Sequence, residues 1–479
     1  MRVQVVLRYL GFVLFFNAAF LLIAAIISAA GGDNAFYSLI FSFIVCSLLG
    51  LVLIFFAPPA FDITNNEGLF IVVCSWLLSC LVGTLPYILW GSPFTFVNAW
   101  FESVSGFTTT GASIIYNIEG LAPGLLFWRS ATHWMGGVGI IVFVLAVMPS
   151  MGSASMVLYR NEVSPLVQES FNYRTQKTLK ILLYVYIGLT VLETLLLFFQ
   201  GMGIFDAVTH SFATVATGGF STKNTSVAHF ASLGIELTLI CFMILSGIHF
   251  GLLYQAITGN HHYLRDSAIL RYYLTALLIG VCLVAVNLHG TVYGQWTEAF
   301  RHAAFQVVSI GTSTGFASAD SAIWPAMAQL IIIFFTLQCA CSGSTSGGIK
   351  VDRVILAWKS LLRRLVRLRH PRAIEVVKLD QVSVGDEVVE TALIYIILYL
   401  AVLLFSALLI TGFGIDIMTA FSGAAAAMGN VGPGFGAVGS MSNYSHLPET
   451  VKLILTVDML VGRLEIFGLI LFVTIHRWK

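Results

Sequence analysis

The segment SIGTSTGFASAD, residues 309–320, lies between two apolar runs but is too polar and too rich in glycine to cross a bilayer as a helix. Three other segments share its pattern: an acidic residue, an amphipathic run rich in Phe, Ala, Ser and Thr, then a turn containing glycine. The four segments are residues 98–113, 205–222, 297–318 and 415–435. Aligned on the turns, they place in register Gly111, Gly219, Gly315 and Gly432. Such self-similarity in a fixed order indicates a fourfold internal repeat.

The composition requires a lipid environment. Of 479 residues, 58% are hydrophobic and only 10% charged, and the mean hydropathy is +0.91. One soluble core cannot hide this much apolar surface, and apolar stretches recur along the whole chain, which argues against a cleaved leader. Ten stretches are long and apolar enough to span a bilayer, the eighth with an interruption. They are residues 9–30, 36–58, 68–91, 124–148, 179–200, 232–257, 269–289, 324–362, 388–412 and 450–475.

The basic residues predict the orientation, because Lys and Arg are retained in cytoplasmic loops. With the N-terminus inside, most of the 24 Lys and Arg residues fall on the inner side. We therefore expect both termini in the cytoplasm and the four glycine turns on the outer side. The net charge of +1 gives no reason to expect a nucleic-acid partner. The basic run at residues 363–372 is expected to anchor a helix end at anionic lipid or, alternatively, to dock a partner.

The four turns require a shared axis. Non-helical backbone at membrane depth is tolerated only where it is buried in protein or lines a watery cavity. Four such loops from four like units satisfy one another by converging, and that arrangement makes a pore. We predict an all-α polytopic membrane protein with about ten transmembrane helices, in which two leading helices precede four pseudo-repeated units of helix, pore loop and helix around one central pore. The predicted divisions are residues 1–62, 63–149, 150–258, 259–372 and 373–479.

The turns have the chemistry to hold a monovalent cation. Each pore helix would point its partially negative C-terminal end at the bilayer centre. Small residues and glycines then allow successive carbonyls to face one way, and no turn carries a carboxylate that would favour a divalent ion. Acidic residues on the outer flanks are expected to raise the cation concentration at the mouth. They are Glu102, Glu119, Asp206, Glu236, Glu298, Asp320, Asp416 and Glu449. For Asp206, Glu298 and Asp416 the alternative is an interaction with a helix N-terminus.

The eighth span contains a second informative stretch, CACSGSTSGGIK, residues 339–350. Residues 343–348 are all Gly, Ser or Thr, whose low helix propensity lets this piece unwind into a cavity. The alternative is a kink that packs against a neighbour. Lys350 follows, and we expect it to extend to the interface. The seven cysteines show no CxxC spacing, so packing is their expected role.

Arg463 is an unusual charge within the last span, where charged residues are costly and are generally functional or paired. Asp458 and Glu465 share that span, but their sequence offsets fit helical pairing with Arg463 poorly. We expect Glu193, inside the fifth span, to pack against a neighbour or lie close to the interface. His133, His210, His249 and His302 show no metal-ligand pattern and are expected to pack with their hydrogen bonds satisfied.

Seven motifs in order carry a resemblance to a known family: TTTGAS, GGVGIIV, ATGGFST, TSTGF, GSTSGGIK, GNVGPGFG and GRLEIF. The chain resembles the membrane subunit of the bacterial Trk/Ktr potassium uptake systems, most closely the TrkH/TrkG branch. The resemblance spans essentially the whole chain. It implies a K⁺-selective pore whose four glycines favour K⁺ over Na⁺, although NVGPGF departs from the Thr-x-Gly pattern. GGVG, residues 136–139, is expected to serve close helix packing.

The resemblance also implies roles for particular residues. The implied selectivity filter comprises Thr109, Thr110, Gly111, Ala112, Thr217, Gly218, Gly219, Phe220, Ser313, Thr314, Gly315, Phe316, Asn430, Val431, Gly432 and Pro433. K⁺ would bind at Thr110, Gly111, Gly218, Gly219, Thr314, Gly315, Val431 and Gly432. The implied gate comprises Gly343, Ser344, Thr345, Ser346, Gly347, Gly348, Lys350 and Arg463. The arginine would stand in the permeation path below the filter, with Asp458 and Glu465 orienting it.

The resemblance further implies a location in the bacterial inner membrane, a homodimer, and a cytosolic TrkA-like subunit that binds a nucleotide, NAD or ATP. No cofactor is expected on this chain itself, only K⁺ as a bound ion, and the partner's docking surface is expected to include residues 150–178 and 363–386. A K⁺ symporter coupled to H⁺ or Na⁺ is the nearer alternative. A polytopic membrane enzyme is a remote one, because no cluster of catalytic groups lies at one membrane depth. The sequence therefore predicts a transporter and not an enzyme.

Overall fold

The computed structural model describes residues 2–57, 65–147, 171–259, 261–371, 375–379 and 382–474. The predicted unit boundaries near residues 62 and 149, and most of the expected inner docking loop at residues 150–178, lie outside these ranges. The described part is almost entirely helical. Its sheet is a two-stranded antiparallel hairpin of Lys378–Leu379 and Val382–Ser383, with Leu379 opposite Val382.

Each predicted span corresponds to a helix or to a pair of helices. Two leading helices, Val3–Gly31 and Ala35–Phe55, form a hairpin. The helices before the four turns are Asn65–Gly83 with Leu85–Trp90, Phe171–Phe199, Ala268–Leu288 and Asp386–Gly412. Those after the turns are Pro123–Val147, Leu233–Ser246 with Phe250–Ile257, Ala326–Leu337 with Val351–Arg369, and Glu449–Arg463 with Ile466–Thr474. A short helix, His262–Asp266, connects the second and third repeats.

Four shorter helices lie between these pairs and are called the pore helices. They are the first, Phe96–Phe107; the second, Ile204–Val215; the third, Trp296–Gly311; and the fourth, Ile417–Met428. At 12 to 16 residues they are too short to cross a bilayer. The first and fourth begin at side-chain caps: Thr95 accepts from the N–H of Asn98, and Asp416 from that of Thr419.

Two spans that the sequence predicts as continuous are sharply broken, in addition to the one-residue interruption at Thr84 in the third span. Leu233–Ser246 and Phe250–Ile257 meet at 106°, and His249 caps the second of them by accepting from the N–H of Gly251. The last span breaks at Glu465, which has a positive φ of 54°. A left-handed residue cannot continue a right-handed helix, so the chain restarts at Ile466.

Close packing joins the two helices of the leading hairpin to each other, and a buried hydrogen bond joins the hairpin to the rest. The helices approach at Gly11 and Gly50, where an added Cβ on Gly11 would lie 2.9 Å from the carbonyl of Gly50. Asn17 Nδ2 donates to Ser79 Oγ at 2.8 Å, a buried bond between the first helix and the third span. Among the described helices, six are long and apolar enough to cross a membrane, or seven if the bent pair counts as one. The chain is a multi-pass membrane protein.

Candidate ion pathway

The four pore helices end in the same backbone motif. In each, the residue just before the aligned glycine donates its N–H to the carbonyl five residues back, at 2.7–2.9 Å; the donors are Thr110, Gly218, Thr314 and Val431. The preceding residue takes a left-handed φ of 50–57° in every case; these residues are Thr109, Thr217, Ser313 and Asn430. This is the Schellman way of ending a helix, made here without glycine in the left-handed position. The sequence repeat is therefore a repeat of backbone conformation.

The four turn segments, residues 109–112, 217–220, 313–316 and 430–433, form a closed ring. An added Cβ would collide with a backbone carbonyl oxygen of the next segment at each aligned glycine. The collisions pair Gly111 with Gly218, Gly219 with Thr314, Gly315 with Val431, and Gly432 with Thr110. Each segment touches its successor and the fourth returns to the first. Glycine is required here both for this close approach and for the positive φ of 78–95°.

The ring borders an open cavity. All four glycines line it, together with residues that follow the turns, including Ser113, Ser221 and Tyr444. Lys223 also lines the cavity, and its Nζ lies 3.4 Å from Asp206 Oδ2. The charged side chains among the residues that line this cavity are therefore those of Lys223 and Arg129, and each is paired with a carboxylate.

A buried polar residue supports three of the four turns from behind. Nine residues before the aligned glycine stand Glu102, His210 and Gln306. Glu102 accepts from the N–H of Ile114 at 3.0 Å, His210 Nε2 lies 2.9 Å from Ser221 Oγ, and Gln306 Nε2 donates to the Ala319 carbonyl at 2.7 Å. The sequence analysis did not predict this shared role: it named Glu102 as a flanking acid and His210 as a packing histidine and did not name Gln306, although aligning the repeats shows a polar residue at the same offset in all three.

In the fourth repeat, glycine takes this position, and Ser422 beside it accepts from the N–H of Phe435 at 2.7 Å. The support therefore persists with a different side chain.

Glu102 forms a buried ion pair with Arg129, with Nε and Oε1 at 2.8 Å and both side chains nearly unexposed. Arg129 also donates to the Ser221 carbonyl at 3.2 Å and lies over the Phe220 ring at 4.0 Å. The pair thus joins the first pore helix to the second turn segment. The expectation that Glu102 attracts cations at the mouth is wrong, because its carboxylate faces this arginine and not solvent.

Other flanking acids also have structural partners. Glu236 binds Arg301 of the third pore helix through two bonds of 2.7 and 2.9 Å. Asp320 caps the short helix Ser321–Ile323, as Asp416 caps the fourth pore helix. Glu298 and Glu449 remain exposed. Asp416 therefore interacts with a helix N-terminus, which is the alternative given for it above, and Asp320 does the same although the sequence analysis did not propose it.

Beneath the ring lies the break loop, residues 338–350, between Ala326–Leu337 and Val351–Arg369. Backbone bonds tie its two ends together: Ile349 N–H donates to Leu337 at 3.0 Å, and Cys339 N–H donates to Ile349 at 3.0 Å. The helical ladder is therefore replaced by a fastened loop whose glycine-, serine- and threonine-rich tip projects toward the turns. This is the unwinding that the sequence predicts for residues 343–348.

The tip of the break loop touches the inner ends of three pore helices. Thr345 Oγ1 donates to the Val215 carbonyl at 3.0 Å, at the end of the second pore helix. Gly347 N–H donates to Ser313 Oγ at 3.0 Å, in the third turn segment. An added Cβ on Gly347 would lie 2.5 Å from the Gly429 carbonyl and 2.6 Å from Asn430 Oδ1, in the fourth repeat. The loop therefore fills the space directly below the ring.

Arg463 connects this loop to the remaining repeat. It is 1% exposed, and its guanidinium donates to the Thr345 carbonyl at 2.5 Å and to the Gly136 carbonyl at 3.2 Å. Within the described residues no carboxylate lies within ion-pair distance of it. A fixed positive charge thus lies against the loop below the ring.

The acids near Arg463 have other partners. Ser406 Oγ donates to Asp458 at 2.6 Å, and Arg353 donates to Glu465 at 2.8 Å. The expectation that these acids orient Arg463 is wrong, because both carboxylates face side chains of other helices. The Arg353 guanidinium also lies 3.8 Å from the centre of the Tyr395 ring.

Lys350 does not extend to the interface. It is 8% exposed, and its ammonium donates back to the Ser346 carbonyl of the break loop. The sequence-based expectation is wrong because the fastened loop places a carbonyl within reach of the amine inside the protein. Lys350 therefore forms a bond within the loop, whereas Arg463 contacts the loop from the last span.

The histidines are packed around the turns as expected, with one exception. His210 and His302 bond to Ser221 and Ser318, and His249 caps a helix. His133 lies edge-on to Phe220 at 4.1 Å, and neither of its ring nitrogens has a hydrogen-bond partner among the described residues. The glycines of GGVG do pack closely, since an added Cβ on Gly137 would collide with the Tyr186 hydroxyl.

Comparison with known proteins identifies the family. The family model for TrkH, described as a cation transport protein, matches residues 35–477. The chain is 35% identical to the Trk system potassium uptake protein TrkH of Halomonas elongata over the whole of both chains. It is 36% identical to the protein of the same name from Escherichia coli (strain K12), over 87% of each. The chain belongs to the TrkH family. The resemblance to this family that the sequence motifs indicate is confirmed.

A solved TrkH-family structure has the same fold. The crystal structure of the potassium transporter TrkH from Vibrio parahaemolyticus superposes with a TM-score of 0.91 at 31% identity and covers 100% of both chains. The predicted all-α polytopic architecture is confirmed. Because TrkH-family proteins transport cations and do not catalyse a reaction, the prediction that this chain is not an enzyme is confirmed as well.

Proposed function

We propose that this chain takes up potassium across the bacterial inner membrane through a K⁺-selective pore, gated by the break loop and regulated by a cytosolic nucleotide-binding subunit. The observation that carries the proposal is the closed ring of four turn segments. Its relatives are named potassium uptake proteins. The pore is assembled from units 63–149, 150–258, 259–372 and 373–479 behind the leading helices at 1–62.

The ring suits a dehydrated monovalent cation. In each segment, a residue with a left-handed φ is followed by one with a negative φ and then by the aligned glycine. Backbone oxygens from the four segments therefore approach one axis. The carbonyls of Gly111, Gly219 and Gly315 accept no hydrogen bond from the described residues, which leaves them free for an ion. The proposed K⁺ ligands are backbone oxygens of Thr110, Gly111, Gly218, Gly219, Thr314, Gly315, Val431 and Gly432.

The gate is residues 343–348 with Lys350 and Arg463. Bonds from Thr345 and Gly347 fix the loop against the pore helices, and the Arg463 guanidinium adds a positive charge in a place of low dielectric. Both features oppose cation passage in this conformation. Opening would require the loop to leave Ser313 and Val215 and the arginine to move away from Thr345.

A cytosolic subunit can act on this loop directly. Val351–Arg369 begins where the break loop ends and carries Arg364, Arg367 and Arg369 toward its far end, which we infer from the distribution of basic residues to lie in the cytoplasm. The hairpin at residues 378–383 lies beside it, with Lys359 Nζ bonded to the Lys378 carbonyl at 2.6 Å. We propose residues 363–386 as docking surface for a TrkA-like subunit carrying NAD or ATP, and a homodimer as the assembled form with all termini cytoplasmic.

Coupled transport is the second candidate, favoured by one observation. Glu193 lies wholly buried in the last third of Phe171–Phe199, beside Thr214 of the second pore helix and with no ion-pair partner among the described residues. A buried ionisable group inside a span is a natural proton carrier. If uptake is a K⁺ and H⁺ symport, a pH gradient alone will drive K⁺ entry and Glu193→Gln will abolish that drive while leaving uptake driven by the K⁺ gradient intact.

Ion flux tests the leading proposal. The purified chain in proteoliposomes, under an imposed negative internal potential, should admit K⁺ and Rb⁺ well above Na⁺ and Li⁺. Deleting residues 343–348 should raise K⁺ flux, because the loop fills the space below the ring. Equal flux of all four ions would refute a K⁺-selective ring, and unchanged flux in the folded deletion variant would refute the gate.

A further inference from the structure

The fourth turn differs from the other three because the carbonyl of its aligned glycine accepts a hydrogen bond from a side chain. The Tyr444 hydroxyl donates to the Gly432 carbonyl at 2.6 Å. No described residue donates to the carbonyls of Gly111, Gly219 or Gly315. Gly432 is also buried, whereas those three are half-buried. One of four equivalent carbonyls is therefore held by the protein.

Tyr444 bridges two segments of the ring. Its N–H donates to the Ser113 carbonyl at 2.8 Å, immediately after the first turn segment, while its hydroxyl holds the fourth. Its ring lies 5.4 Å from that of Phe101 in the first pore helix, and the side chain is 3% exposed. Backbone, ring and hydroxyl thus fix one residue across the seam where the end of the ring meets its beginning.

This seam has the most room. An added Cβ on Gly432 would approach its nearest carbonyl, that of Thr110, at 2.5 Å, which is farther than at any of the other three glycines. Across the seam, Asn430 Nδ2 donates to Thr110 Oγ1 at 3.0 Å. The fourth and first segments are therefore joined here by two side chains, that of Asn430 within the ring and that of Tyr444 outside the turn motif.

We propose that Tyr444 is a positioning residue for ion selectivity: it fixes the Gly432 carbonyl and closes the seam between the fourth and first turn segments, so that the ring is too rigid to contract around Na⁺. This deepens the proposed function and rests on it. Because the hydroxyl takes one carbonyl, the outermost level of the ring offers an ion three free glycine carbonyls and one shared with Tyr444. Selectivity at that level depends on a side chain outside the turn motif.

The test compares Tyr444→Phe with the wild-type chain in proteoliposomes, measuring K⁺, Rb⁺ and Na⁺ flux separately. Losing one buried hydrogen bond of ordinary strength should lower the ratio of K⁺ to Na⁺ flux by about fivefold, mainly by raising Na⁺ flux. Tyr87→Phe is the matched control, because Tyr87 is equally buried and its hydroxyl has no hydrogen-bond partner among the described residues. Its flux ratio should equal that of the wild type.

The outcomes separate this inference from the proposed function. A wild-type chain that does not discriminate K⁺ from Na⁺ defeats both. A selective wild type with an unchanged ratio in Tyr444→Phe, or with all fluxes lowered equally, overturns the role of Tyr444 and leaves the pore standing. If Tyr444→Phe does not fold, Phe101→Leu offers a second test, because it removes the side chain that packs against the Tyr444 aromatic ring and keeps the Tyr444 hydroxyl. This variant should lower the ratio of K⁺ to Na⁺ flux by a smaller factor.

Discussion

The ring and the break loop are built on opposite plans. The ring uses backbone atoms from four like segments, and each aligned glycine meets its neighbour in the same way. The loop occurs once, in the third repeat, and is held by unlike side chains, among them Thr345, Lys350 and Arg463. The repeated segments therefore form the ring, whose parts are equivalent around one axis. The break loop, which is proposed to move, is a feature of one repeat only.

This difference has an energetic side. The ring is fixed by helix-end hydrogen bonds and by buried polar braces behind it, all of which must break together for a segment to shift. The tip of the loop is fixed by a few hydrogen bonds, which contribute about 1 kcal/mol net for the neutral Thr345 and about 1.5–3 kcal/mol for each of the charged Lys350 and Arg463. A partner subunit acting through Val351–Arg369 can therefore displace the loop without deforming the ring.

The largest expected effect is on the brace behind the ring. Glu102→Gln leaves the buried Arg129 charge without its carboxylate, which should cost about 3–5 kcal/mol of unfolding free energy. The measurement is thermal unfolding of the purified chain in detergent. The double variant Glu102→Gln with Arg129→Met removes the stranded charge and should recover part of the loss; equal melting of the single and double variants would contradict a paired brace.

The second prediction concerns the ring itself. Gly315→Ser places a Cβ against the Val431 carbonyl and forces a side-chain residue to a φ of 83°, a strain of about 1–3 kcal/mol. The ratio of K⁺ to Na⁺ flux should fall about tenfold, since about 1.4 kcal/mol corresponds to that factor. Gly423→Ala is the control, because there an added Cβ meets only Val438 at 3.5 Å. A ratio that survives Gly315→Ser would break the claim that ring geometry selects the ion.

The third prediction concerns the loop. Arg463→Gln removes a buried charge that has no carboxylate partner among the described residues, so the barrier to cations should fall. Basal K⁺ flux should rise about tenfold if the charge contributes about 1.4 kcal/mol to that barrier, with the ratio of K⁺ to Na⁺ flux unchanged. The exposed Arg271→Gln serves as control. If the ratio of K⁺ to Na⁺ flux changed while K⁺ flux stayed the same, Arg463 would contribute to ion selection and not to gating.

The smallest effect is expected at a helix end. Asp416→Ala removes the cap that accepts from the Thr419 N–H at 2.9 Å and should cost about 1 kcal/mol of stability. Asp416→Asn keeps the cap and should restore most of it. Calorimetry measures both, and flux should be the same in each. Reduced K⁺ flux in both variants would show instead that this carboxylate attracts cations at the mouth.

The sequence predicts the repeats and their register because glycine and small residues report directly on backbone conformation. Gly111 and Gly315 are recognisable for that reason, and so is the glycine-rich tip at residues 343–348. It does not predict the partners of isolated charges. Glu102 meets Arg129 and Glu465 meets Arg353 across long separations that only the packed fold brings together. Lys350 is similar, since its carbonyl partner exists only once the loop has closed.

The most direct test of the central claim is to locate the ion. Rb⁺ replaces K⁺ and scatters anomalously, so a crystal structure of this chain grown in Rb⁺ would show where a monovalent cation sits. The account predicts an anomalous peak on the axis of the ring, within coordination distance of backbone oxygens from all four turn segments. A well-ordered ring with no such peak, or a peak bound by side-chain carboxylates away from the axis, would contradict it.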